Sequence, residues 1–162
     1  MCAHTLVLTG APETEALRRL LLAVLPLRSS QSVRLVEALV LSGGLVHDAR
    51  RFASDIGMGT RYRVARVLRR EGLPQLEELA GWVRLVRWLI IWRSGAGSLS
   101  RMALDDGLEI SACCRTVRRL TGVTWTEARE RGPEWAMILL AERCRSASRE
   151  SARGPQEIGL TG

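Results

Sequence analysis

The chain has 162 residues, 46% hydrophobic and 25% charged, the proportions of a folded globular protein. That length holds one helical domain, or two small helical units sharing a core, and leaves little for a separate sensor or enzyme domain. The formal net charge of +7 and the pI near 10.7 favour a polyanionic partner, nucleic acid or an anionic membrane surface, over an acidic small substrate.

All 24 cationic side chains are Arg, because the sequence contains no Lys. Arg forks onto phosphates and guanine edges, whereas a GC-rich genome would also bias codons toward it; either origin leaves the same surface chemistry. Cys2, Cys113, Cys114 and Cys144, with His4 and His47, show no metal-ligand spacing, and the adjacent Cys113 and Cys114 are badly placed for a structural bridge. A reducing cytosol and no metal or other cofactor are expected. The apolar run Leu20 to Leu27 is broken by Pro26, and no cleavable signal or span of about 20 apolar residues occurs, so a soluble protein that is not exported is expected.

In chain order, residues 1–31 read as a short apolar run (Leu6, Val7, Leu8), a turn at Gly10 to Pro12 and a helix from about Glu13 to Leu25, stopped by Pro26. This segment is expected to be a remnant or a dimerisation arm. After a polar stretch, Arg28 to Ser32, a helix runs through Val33, Val36, Leu39 and Val40 to Gly43 and Gly44.

Shifting the chain by 50 positions aligns Arg51, Ala53, Asp55, Gly57, Val67, Arg69 and Gly72 with Arg101, Ala103, Asp105, Gly107, Val117, Arg119 and Gly122. Such self-similarity is an internal repeat, and each copy reads as helix, turn, helix. The first copy is assigned to residues 32–73 and the second to 94–132. Between them, 74–93 reads as a linker helix with two apolar stripes, one through Leu76, Leu79, Val83, Val86 and Ile90, the other through Trp82, Leu85, Leu89 and Trp92. Such a helix must be covered on two sides, and two of its tryptophans are expected in the core.

Ser98 is placed to cap the next helix, and Thr124 with Glu127 has capping-box spacing for a short helix to about Arg131. Gly132 and Pro133 break it. Residues 133–162 are expected to form a final helix from Glu134 to about Arg145, with Trp135, Ile138, Leu139 and Glu142 at helical spacing, and a frayed, disordered tail from Ser146.

The second helix of the first copy, about Thr60 to Arg70, turns Val64, Val67 and Leu68 inward and leaves Arg61, Tyr62, Arg63, Arg66 and Arg70 outside. Such a face is either a solvated charged surface or one that meets an anion such as a DNA groove. Its counterpart, about Ile110 to Thr121, turns Cys113 or Cys114, Val117 and Leu120 inward and Ser111, Ala112, Arg115, Arg118 and Arg119 outward. Cys113 and Cys114 read as small buried hydrophobes or as a redox switch. No Walker A or G-x-G-x-x-G pattern occurs, and His47 with Asp48 reads as a helix-capping arrangement, so no enzyme activity is expected.

Gly57, Arg61 to Arg70, Gly72, the linker helix, Ala103, Gly107, Ser111 to Gly122 and then Val123-Thr124-Trp125-Thr126-Glu127 together resemble the DNA-binding domain of AraC/XylS-type regulators, over roughly Ser32 to Gly132. The resemblance implies an all-α domain of about seven helices: two helix-turn-helix subdomains joined by a long linker helix, with recognition helices entering successive major grooves. The residues it would turn to DNA are Thr60, Arg61, Tyr62, Arg63 and Arg66, with Arg70 on the same helix, and Ser111, Ala112, Arg115 and Arg119. Leu108 stands where the family has Phe, Trp125 where it has Pro, and the second turn is one residue short. A cytoplasmic, nucleoid-associated bacterial transcription regulator is thus expected, with double-stranded DNA as partner and RNA polymerase or another regulator as a further one. The alternative is a protein-interaction module that keeps the fold and binds a partner through Leu17 to Leu27, without sequence-specific DNA binding.

Overall fold

The computed structural model describes residues 11–153, and all its regular structure is helical: α1 (Pro12–Val24), α2 (Ser30–Leu41), α3 (Ala49–Asp55), α4 (Arg61–Glu71), α5 (Leu76–Arg93), α6 (Leu99–Asp105), α7 (Ile110–Thr121) and α8 (Trp125–Ala152). The fold is all-α, as expected. The apolar run Leu6 to Leu8, with Cys2, His4 and Gly10, lies outside the described residues.

Local chemistry sets most helix ends. Ser29 opens α2, its hydroxyl accepting from Ser32 N at 3.2 Å, so this helix begins inside the stretch expected to be a polar lead-in. Asp48 opens α3, its carboxylate accepting from Arg50 N and Arg51 N, which is the capping role foreseen beside His47. Ser98 caps α6, and Thr124 with Glu127 forms the foreseen capping box at the start of α8. Gly72 and Gly122 sit in the left-handed region just past α4 and α7, where a side chain would strain the backbone.

α5 is the centre of the molecule and touches α1, α2, α4, α6, α7 and α8. Its buried residues Leu79, Ala80, Gly81, Trp82, Val83, Leu85, Val86, Trp88 and Leu89 occupy almost its whole circumference, as two apolar stripes require. Of its tryptophans, Trp82 and Trp88 are buried; Trp92, expected in the core, is half-buried and meets Trp125 edge-on at 6.2 Å between ring centroids. Around α5 a single hydrophobic cluster runs from Leu17 of α1 to Cys144 of α8.

Two expectations are corrected. Helix α1 is no free arm: Leu17, Leu21 and Leu25 are buried, and α1 packs on α5, α2 and α8, with Arg18 bonded to Glu37 of α2 at 2.9 Å. The leucines of a Leu17–Leu27 docking surface are therefore largely spent inside the fold. The helix expected to fray at Ser146 continues to Ala152, because Ala147 is buried where α8 meets α4 and Arg143 reaches Glu150 at 3.6 Å. Gly132 breaks α8 as expected, with φ 86° and ψ 175°, and Pro133 starts its second part.

Candidate nucleic-acid interface

α3 and α4 pack on each other across a five-residue turn, Ile56 to Thr60; α6 and α7 do so across a four-residue turn, Asp106 to Glu109. The second turn is one residue shorter, and α7 is correspondingly one residue longer at its start. Structural equivalence between α4 and α7 therefore runs at an offset of 49, not the 50 of the sequence repeat. Buried Val64 and Leu68 match buried Cys113 and Val117, and Val67 and Glu71 match Thr116 and Leu120.

On the opposite face, Arg66, Arg69 and Arg70 of α4 fall at the helix positions of Arg115, Arg118 and Arg119 of α7. The outermost line of α4 is Tyr62, Arg66 and Arg69, and that of α7 is Ser111, Arg115 and Arg118, each at i, i+4, i+7 spacing and all exposed. Arg69 is absent from the expected outer face, and Arg118, foreseen as outward, is absent from the expected contact set. The 3.6-residue period does hold the signal for Arg69, one turn beyond Arg66.

Thr60 is the cap of α4, its Oγ1 accepting from Arg63 N at 3.3 Å. Arg61 donates to Tyr62 Oη at 3.2 Å and lies over the Tyr62 ring. That hydrogen bond raises the Arg61 pKa and lowers the Tyr62 one. Arg63, Arg66 and Arg70 are exposed as expected, and so are Ser111 and Arg115. Ala112, expected outward, is half-buried, although Arg63, its counterpart at the 49-residue offset, is exposed. Arg119 is exposed but leans on α5, its Nη2 lying 3.8 Å from where a Cβ on Gly81 would stand. Cys113 is the inward cysteine, its thiol pKa raised by burial, and Cys114 is exposed.

The arginines divide by partner. Arg18, Arg19, Arg51, Arg87, Arg93, Arg101, Arg143 and Arg145 each lie within 4.0 Å of a carboxylate. None of the five on α4 or the three on α7 has a carboxylate partner among the described residues, and the exposed faces of both helices carry no Asp or Glu. Like charges at this density on short helices repel, and an external anion relieves that repulsion.

The short turn before α7 is anchored from below. Asp106 is buried at the end of α6; its Oδ2 pairs with Arg87 and accepts from Trp88 Nε1 at 2.9 Å, both on α5. The residue 50 positions earlier, Ile56, is an ordinary apolar plug.

Compared with family models, with curated proteins and with solved structures, the chain finds no match. Among the described residues no helix is long and apolar enough to cross a membrane, and no cluster of His, Cys, Asp and Glu could hold a metal ion.

Proposed function

We propose that the protein is a sequence-specific, double-stranded-DNA-binding regulator of transcription, in which α3–α4 and α6–α7 act as two helix-turn-helix units and α4 and α7 enter successive major grooves. The observation that carries this reading is the matched, carboxylate-free arginine face of α4 and α7. Phosphates supply the missing negative charge, and a guanidinium binds them through paired N–H groups. The three shared arginine positions suit the backbone-holding role, which is common to both grips and carries no sequence information. The first turns differ, with Arg61, Tyr62 and Arg63 on α4 against Ile110, Ser111 and Ala112 on α7, and in a helix-turn-helix it is this end that meets base edges. The resemblance to AraC/XylS-type regulators points the same way, and on it the two grips sit about one helical turn of DNA apart.

The test is selection of bound duplexes from a random pool at low and raised salt, with an Arg66→Glu/Arg115→Glu variant beside the wild type. The wild type should return an asymmetric motif in two segments, centred about 10 base pairs apart, that the variant loses. Motif-free binding that vanishes with salt would refute sequence-specific recognition and leave the protein-interaction reading.

A further inference from the structure

Arg84 stands apart from the other arginines of the interior. It sits on α5, half-buried, on the floor of a groove of about 1270 Å³. Arg61, Tyr62 and Arg69 of α4 line one wall of that groove. The guanidinium lies over the Trp88 ring, 5.8 Å from its centroid, and its Nε is sealed from solvent without a hydrogen-bond partner.

No carboxylate lies within ion-pairing distance of Arg84 among the described residues. Asp106, the nearest acid on that side, already serves Arg87 and Trp88 through the same oxygen. Cys113 also faces Arg84, but burial raises its thiol pKa and keeps it neutral. The acids lining the groove are Glu77 and Glu150; neither is within ion-pairing distance of Arg84, and Glu150 is 3.6 Å from Arg143. Arg87 and Arg119 are close enough to repel Arg84 further, and the dominant burial effect lowers its pKa. Protein interiors rarely hold a cation this way, since a desolvated charge is costly unless paired.

We propose that Arg84, with Arg119 leaning over Gly81 one turn earlier on α5 and Arg61 and Arg69 across the groove, forms a site for a phosphate group. Arg61 and Arg69 of α4 share the groove with Arg84, and Arg119 of α7, outside that lining, is near enough to act on Arg84 through its charge. Two sources share this chemistry: a backbone phosphate of a duplex gripped by α4 and α7, which rests on the DNA-binding reading, and a free phosphate, which does not. The Nη atoms reach the anion while the sealed Nε and the Trp88 ring hold the guanidinium plane in place. One guanidinium fixed in advance loses little freedom on binding.

The experiment follows the guanidinium Nε–H signal of Arg84 in the ¹⁵N-labelled full chain, identified by its loss in Arg84→Gln. One arm titrates inorganic phosphate against chloride at equal ionic strength; the other adds a duplex from the selection. A saturable shift with phosphate, absent with chloride and displaced by duplex, is expected. A shift with duplex alone assigns the site to a backbone phosphate. A shift with phosphate alone, with no duplex bound, upholds the site while the DNA reading fails separately. Silence in both arms, or an equal response to chloride, overturns the proposal. Where duplex is bound, Arg84→Gln should reduce the slope of log affinity against log salt by about 0.9, one phosphate contact, with no loss in the urea midpoint. An unchanged slope removes the duplex source, and a lowered midpoint with unchanged slope marks Arg84 as a structural residue.

Discussion

Asp105 and Asp106 are neighbours in sequence and opposites in environment, which makes them a controlled pair. Asp106 and Arg87 keep only 5% and 20% of their side-chain surface exposed, whereas Asp105 and Arg101, 3.1 Å apart, keep 56% and 68%. Asp106→Ala leaves the Arg87 guanidinium largely buried without its anion and the Trp88 N–H without an acceptor; removing one partner of a buried pair costs about 3–5 kcal/mol. With a urea dependence of about 2 kcal/mol per molar for a domain of this size, the unfolding midpoint should fall by roughly 2 M. Asp105→Ala breaks an exposed pair worth at most about 1 kcal/mol and should move the midpoint by less than about 0.5 M. Urea titration followed by tryptophan fluorescence and far-ultraviolet circular dichroism measures both. Equal shifts for the two alanine variants would refute the claim that Asp106 anchors the second turn. As a further check, Arg87→Met with Asp106→Leu should recover much of the loss, because an apolar pair removes the uncompensated charge.

Leu21 is fully buried between α1 and its neighbours, so Leu21→Ala should cost about 2–5 kcal/mol, and a chain starting at residue 32 should fail to give a cooperative urea transition; a truncated chain that unfolds like the full one would show α1 to be an appendage. The Cys144 thiol pKa is raised by burial from 9.0 to about 11. With the folded value above the unfolded one, the stability it contributes is intact below pH 9 and is lost as pH rises toward 11. At about 1.4 kcal/mol for each pH unit crossed in that window, the loss is about 2–3 kcal/mol at most. Cys144→Ala should flatten the fall in urea midpoint across that window, and a fall of the same size in the variant would place its origin elsewhere.

Much of this architecture is legible in the residues because helix signals are local. Ser98, Asp48 and the Thr124–Glu127 box satisfy the first N–H groups of their own helices, and Gly132-Pro133 breaks α8 by its own backbone geometry. What escapes is whatever depends on distant packing. Ser146 to Ala152 has no large apolar side chain to mark a buried face, yet burial of Ala147 against the rest of the fold keeps it wound. Trp88 lies between the two apolar stripes of α5 and is buried because Asp106, 18 positions later, accepts its N–H. On the arginine faces, composition locates α4 and α7 correctly. Their exposed faces differ from expectation at Ala112, which is half-buried, and at Arg69, which the helical period places one turn beyond Arg66.

The unequal turns also bear on how the two helix pairs differ. Both helix pairs lean on α5, so their separation is not free to drift; a shift in one would uncover part of the shared core. Gly57 to Gly72 and Gly107 to Gly122 enclose the same number of residues, so the residue the second turn gives up is taken into the start of α7, which rewinds that start by about 100° relative to the repeat. Three arginines stand at matching positions in that register, while the side chains of the first turn differ at every position. One residue passed from a turn into the helix that follows can thus change the chemistry at the tip of α7 without altering the chain length between the flanking glycines.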